Sequence, residues 1–299
     1  MAVTLAHTFE SGQASGTTVT TGNSATGGNA FDSVTINATC TCTYDSSAYR
    51  GSLGCAVSSG GTSGQGAVNW TTSIGTALPH AFGRILSNAS SFSAAHPFLR
   101  CRGGAAVQVF RLSFDASGHV QLRNTSNSVV GTSSTALNTG QWYLIRWDVT
   151  VGASATGVVY IHTDPTSPTP AETMTVNAAN FGTNNINEYN AGIGAATLNV
   201  PAYHFDDIVL TDVALPGPPI QTITVAETVS FAEAVARGFL ALRQVAESLT
   251  ADDNATAVIP GHLAAGGMAS TVTAAVTASA VSQPRLTSTT ASGGLVSRP

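Results

Sequence analysis

From the N-terminus to about residue 215 the chain repeats one device. A short run rich in Val, Ile, Thr, Tyr and Phe is followed by a cluster of Gly, Ser and Asn. Apolar residues recur at every second position and nowhere with the spacing of a helix face. Such a stretch can satisfy its backbone only as β-strands. The clearest run is WYLIRWDVTV, residues 142–151. Tyr143, Ile145, Trp147, Val149 and Val151 fall on one face, and Trp142, Leu144, Arg146, Asp148 and Thr150 on the other. Comparable runs occupy 2–9, 33–42, 51–57, 79–87, 105–115, 119–124, 157–163 and 203–212, with turn residues in DASG (115–118) and NTG (138–140). So many half-apolar strands exceed what one open sheet can cover. The expectation is an all-β, two-sheet antiparallel sandwich over residues 1–215.

Near residue 215 the texture changes. ALPGPPIQ (214–221) holds three prolines in eight residues and reads as a stiff linker. Ala, Glu, Leu and Arg then dominate, and the spacing of Phe231, Val235, Phe239, Leu242 and Leu249 predicts a helix over about 231–249. VAETVSFAEAVA (225–236) and VAESLTADDNAT (245–256) form a weak repeat. From about residue 262 the sequence is low in complexity, and alone it cannot offset its ordering entropy. Residues 216–299 are therefore expected to be a linker plus a smaller, partly helical or extended arm. That arm would take its shape from other subunits, in a homo-oligomer for which a trimer is one option.

Only 9% of the residues are charged, against about 25% in an average soluble chain. There is no lysine, so all eleven basic residues are Arg, and only Arg100 and Arg102 are close in sequence. A net charge of −5 with scattered cations argues against a nucleic-acid partner. No apolar run approaches the ~20 residues of a membrane helix. MAVTLAHTFESG lacks the basic and apolar regions of a signal peptide, which predicts synthesis in the cytoplasm. Cys40, Cys42, Cys55 and Cys101 lack paired zinc spacing. Reduced, partly buried thiols are expected, with a disulfide from Cys55 to Cys40 or Cys42 as the alternative.

Chemistry is hard to place. Glycoside hydrolysis needs two carboxylates on one side of a cleft. Asp206 and Asp207, in YHFDDIVLTD (203–212), would point to opposite faces of a regular strand. There is no G-x-S-x-G elbow, and the seven histidines are dispersed. NNINEYN (184–190) reads as turn-forming, and GIGAAT (192–197) lacks the context of a phosphate loop. The expectation is a chain that is not an enzyme and carries no catalytic, metal or cofactor site. Sugar sites pair an aromatic platform with amide or carboxylate hydrogen bonds. Trp70, Tyr44, Tyr49 and Tyr189 are the candidate glycan contacts.

HTFESG, FRLSFDASGHVQLRN, GQWYLIRWDVTV with GVVYIHT, and the closing YHFDDIVLTD together resemble a concanavalin A-like, or laminin G-like, jelly roll over about residues 3–213. The resemblance implies that the first and last strands lie side by side. It assigns no function, because the fold hosts lectins, glucanases and structural modules. A sandwich followed by a proline hinge and an Ala/Ser/Thr tail is also similar to virion proteins of tailed phages of actinobacteria. That likeness implies a capsid decoration, head fibre or minor tail protein, held in the particle by residues 216–299. Host glycans are the alternative partner, for an adhesin, and a polysaccharide hydrolase is the third option.

Overall fold

The computed structural model describes residues 2–37, 39–60, 64–92, 95–196, 200–219, 255–258 and 275–278. The chain divides into two units, Met1–Pro219 and Ile220–Pro299. In the first unit the strands run β1 (Thr4–His7), β2 (Ser33–Ile36), β3 (Cys40–Asp45), β4 (Gly54–Ser59) and β5 (Gly64–Trp70). There follow β6 (His80–Ala89), β7 (His96–Gly103), β8 (Val107–Phe114), β9 (His119–Arg123) and β10 (Val129–Ala136). The series closes with β11 (Tyr143–Thr150), β12 (Ala155–His162), β13 (Glu172–Ala179), β14 (Ile186–Ala196) and β15 (Val200–Thr211).

These strands form two antiparallel sheets, as the alternation predicts. One has the order β13-β12-β11-β6-β15-β4-β3, with β1 paired to β15 as an eighth strand; the other has the order β10-β9-β8-β7-β14-β5-β2. The core lies between them. Tyr143, Ile145, Trp147 and Val149 of β11 are buried in it together with Trp70, Phe110, Tyr189 and Phe205. The first and last strands are neighbours, with Thr4 opposite Thr211 and His7 opposite Ile208.

Two details depart from the sequence reading. The run 33–42 is two strands: β2 belongs to the seven-stranded sheet and β3 to the eight-stranded one, so the chain changes layer within 37–39. Strands β5, β7, β10, β13 and β14 were not expected. β14 lies in the middle of its sheet although it contains the Asn- and Gly-rich NEYN and GIG segments. Its Tyr189, Ala191 and Ile193 still alternate into the core. A central strand is decided by which face is buried more than by residue propensity.

The proline segment is tethered at its start. Arg146 Nη1 donates to the Pro216 carbonyl (3.2 Å) and Arg84 Nη1 to the Gly217 carbonyl (2.8 Å). In the second unit β16 (Ala255–Val258) and β17 (Ala275–Ala278) pair antiparallel. The helix expected at 231–249 and the first copy of the repeat lie outside the described residues.

Candidate ligand-binding face

Strand β15 has two successive neighbours on one side. Val200–Phe205 pairs with β4, and Ile208–Thr211 pairs with β1. At the change-over the ladder with β6 breaks between Asp206 and Val209, and Asp207 takes a left-handed backbone (φ 44°). This bulge overturns the expectation that the two acids face opposite ways. Both carboxylates instead meet the loop before β4. Asp206 Oδ2 accepts the Tyr49 and Arg50 backbone N–H groups (3.2 and 3.0 Å), and Asp207 Oδ2 accepts Arg50 Nη1 (3.2 Å). Asp207 Oδ1 accepts Arg84 Nη2 (2.8 Å). Glu10 holds the far end of the same loop, accepting the Ser52 and Leu53 N–H groups (2.7 and 2.9 Å). Burial pushes the Asp206 carboxyl up to about 7, against the pull of the backbone N–H groups of Arg50 and Asp207. A small depression here is lined by Thr8, Glu10, Arg50, Gly51 and Asp207. Its carboxylates are engaged in clamping a loop across the seam between β4 and β1.

The outward face of the seven-stranded sheet is different. Cross-strand register aligns Arg123 with Arg111, Arg111 with Arg100, Arg100 with Asn190, Asn190 with Asn69, and Asn69 with Ser33. One row of polar side chains thus crosses six strands, roughly 24 Å at the usual inter-strand spacing. The flanking residues Leu112, Leu99, Cys101, Tyr189, Val68 and Trp70 point the other way, into the core.

Half of the row is a closed hydrogen-bond chain. Asn69 Nδ2 donates to Thr35 Oγ1 (3.1 Å) and Ser33 Oγ (3.2 Å), Asn190 Nδ2 donates to Asn69 Oδ1, and Arg100 Nε donates to Asn190 Oδ1 (3.3 Å). The other half is open. Arg100 Nη2 and Arg111 Nε are buried and have no hydrogen-bond partner. Arg123 is held by neutral acceptors, Gln121 Oε1 (2.7 Å), Ser113 Oγ (3.1 Å) and the Asn127 carbonyl (3.1 Å). Arg102 reaches Glu188 at 3.2 Å.

The charge is one-sided. The seven strands of this sheet contain four arginines and a single carboxylate, Glu188. Burial pushes the Arg100 guanidinium down to about 10, with Arg102 and Arg111 adding to the fall. Burial does the same to Arg111, also to about 10, helped by Arg123. Like charges directly opposite across strands are destabilising, and this sheet places two such pairs side by side. The arginine half presents planar guanidinium donors along one line, the chemistry that recognises carboxylates.

The aromatic residues singled out from sequence are elsewhere. Trp70, Tyr44 and Tyr189 are fully buried. Trp70 stacks on Tyr189 (5.4 Å) and donates from Nε1 to the Ala30 carbonyl, while Tyr44 donates to the Asn23 carbonyl. None has a face to offer a sugar, because each sits at an inward position of its strand. Tyr49 is half-buried in the clamped loop beside Trp142 (6.1 Å). All four cysteines are buried free thiols, with Cys42 and Cys55 sulfurs 3.6 Å apart. No helix among the described residues is long and apolar enough to cross a membrane.

No protein-family model matches the chain, and no curated protein does. Solved structures with a similar β-sandwich include the endo-β-1,4-glucuronan lyase of the fungus Trichoderma reesei, with 11% identity, 61% of this chain and 91% of that chain covered, and a TM-score of 0.47. The cellulose-induced protein Cip1 matches with 15% identity, 59% and 90% coverage and a TM-score of 0.43. A Trypanosoma rangeli sialidase matches with 11% identity and a TM-score of 0.44; 71% of this chain covers 30% of it. The expectation that the chain is not an enzyme is corrected by this comparison. The solved structures it is similar to include a lyase and a sialidase.

Proposed function

We propose that this chain binds carbohydrate, and that the glycan lies along the outward face of the seven-stranded sheet. The observation that carries this reading is the in-register row Arg123, Arg111, Arg100, Asn190, Asn69 and Ser33. It has the length to follow a polyhydroxylated chain laid across the strands, with three guanidinium donors at one end and the Ser33 hydroxyl at the other. The residues that line it sit on strands, whose geometry is more exact than that of loops. The test is affinity electrophoresis of the full chain through gels containing a range of plant, bacterial and animal polysaccharides. Retardation by at least one polymer, relieved by the soluble polymer, is expected. Free migration through every gel refutes the reading, and product analysis on the same panel reports any turnover.

The setting we propose is a phage particle, with residues 216–299 as the attachment arm. The division of the chain after Pro219 supports an arm that is structurally separate. Removing 220–299 is expected to preserve glycan binding and abolish incorporation into particles. Normal incorporation of the shortened chain refutes the arm's role.

A further inference from the structure

The row on the seven-stranded sheet is unevenly built, and the unevenness identifies the ligand's chemistry. Its Asn190–Asn69–Ser33 half satisfies itself. Its arginine half does not. Arg100 is 9% exposed, yet its Nη2 has no acceptor, and neither has Nε of Arg111 on the neighbouring strand. An unpaired buried donor is destabilising, more so when it is charged. Here two such donors belong to guanidinium groups that are cross-strand partners. Arg123, next in the row, is fixed by Gln121, Ser113 and the Asn127 carbonyl, all uncharged. The sheet's single carboxylate, Glu188, is already shared between Arg102 and Asn190 Nδ2 (3.0 Å).

We propose that the glycan bound here is acidic, a polymer of uronic acid residues, and that one of its carboxylates sits between Arg100 and Arg111 with Arg123 flanking it. This rests on the carbohydrate reading above and deepens it. A planar carboxylate accepts two parallel N–H bonds from a guanidinium, and Arg presents that fork whereas Lys cannot. The Asn190 and Asn69 side chains, one and two strands further along the row, are buried and bonded to each other, so the arginines carry the recognition. A nucleic acid is the weaker fit. The row contains no aromatic ring on which a base would stack, and the whole chain is net negative at −5.

The test uses the full chain, a polyuronate series (polygalacturonate, polyglucuronate and polymannuronate) and the same polymers with their carboxyls reduced to hydroxymethyl groups. Isothermal titration in low salt is expected to show saturable binding to at least one polyuronate. The reduced form should bind at least tenfold more weakly, and affinity should fall as salt rises. Arg111→Gln should weaken polyuronate binding at least tenfold and leave the melting temperature equal or higher, because it removes a like-charge neighbour. Arg123→Gln, at a half-buried position, provides a second variant. Equal binding of native and reduced polymers overturns the acidic ligand and leaves the carbohydrate reading standing. Duplex or single-stranded DNA bound as tightly as the best polyuronate overturns it in favour of a phosphate polymer. No binding to any polysaccharide, acidic or neutral, overturns both. An Arg111→Gln protein that melts lower and binds unchanged assigns the arginine to the fold alone and also overturns the proposal.

Discussion

Asp207 is the residue on which the seam of the eight-stranded sheet depends, and its replacement has a calculable cost. Its side chain is 2% exposed and accepts from two arginines, Arg84 at 17% and Arg50 at 31% side-chain exposure. The Arg50 contact is solvated and contributes about 0.5 kcal/mol. Truncating one partner of a buried pair costs about 3–5 kcal/mol. Arg84 keeps the Gly217 carbonyl as a second acceptor, so the lower end, about 3 kcal/mol, applies to that pair. Asp207→Asn preserves shape and tolerates the left-handed backbone, and is expected to lose about 3 kcal/mol through charge alone. Asp207→Ala adds the cost of a Cβ at φ 44°, about 1 kcal/mol more. Asp207→Gly relieves the backbone but loses the acceptors, and should fall beside the Asn variant. The assay is urea unfolding followed by tryptophan fluorescence. All three tryptophans, Trp70, Trp142 and Trp147, lie in residues 1–219, so the signal reports on this unit. An Asn variant within about 0.5 kcal/mol of the parent refutes a stabilising role for the charge. An Ala variant no worse than Gly refutes the backbone contribution.

Three further outcomes are expected. His7 and His162 are buried, and burial pushes each imidazole down to about 4. Their stabilisation is present above about pH 6.5 and is lost as pH falls towards 4. Asp206, raised to about 7, acts in the opposite sense, favouring the fold at low pH and losing that effect as pH rises from about 4 to 7. Imidazole NMR should therefore show two rings titrating near 4, and a value near 6.5 for either refutes its burial. Gly83→Ala should lower the melting temperature by about 5 °C, since a Cβ would collide with the Trp147 ring and the Val209 carbonyl. An unchanged melting curve in calorimetry refutes that packing. The four buried thiols should resist an aromatic disulfide reagent in the native state and react together on unfolding. Fast release of colour from folded protein would contradict their placement.

The sandwich was legible because period-2 alternation reports directly which face is covered, and β11 shows it without ambiguity. The unexpected strands failed for a physical reason. β7 begins His-Pro, β10 is mostly Ser, Thr and Gly, and β14 carries Asn and Gly, so local propensity argued against each. Their neighbours impose the extended form, by pairing on both sides of β7 and β14 and on one side of β10, and sequence does not announce pairing. The aromatic candidates failed because the residues best suited to a sugar platform are also the bulkiest core residues. The arginine row was half-readable. Arg111 and Arg123 flank the DASG turn symmetrically, so the hairpin alone places them opposite one another. Arg100 and Asn190 join them only through the β7–β8 and β7–β14 registers, and scattered positions in the chain give no hint of a line in space.

Strand β1 needs the last strand of the sandwich to complete its ladder. Its partner, Ile208–Thr211, is synthesised some two hundred residues later. Residues 27–29 can engage one edge of it early, with the Asn29 N–H donating to the Ala6 carbonyl and the Ala6 N–H to Asn29 Oδ1, but its other edge stays open until β15 arrives, which is the circumstance in which β proteins associate wrongly. Closing the eight-stranded layer therefore waits on a contact of long sequence separation, the kind that is slow to form. Any chain cut short of Thr211 leaves the ribosome with an adhesive end.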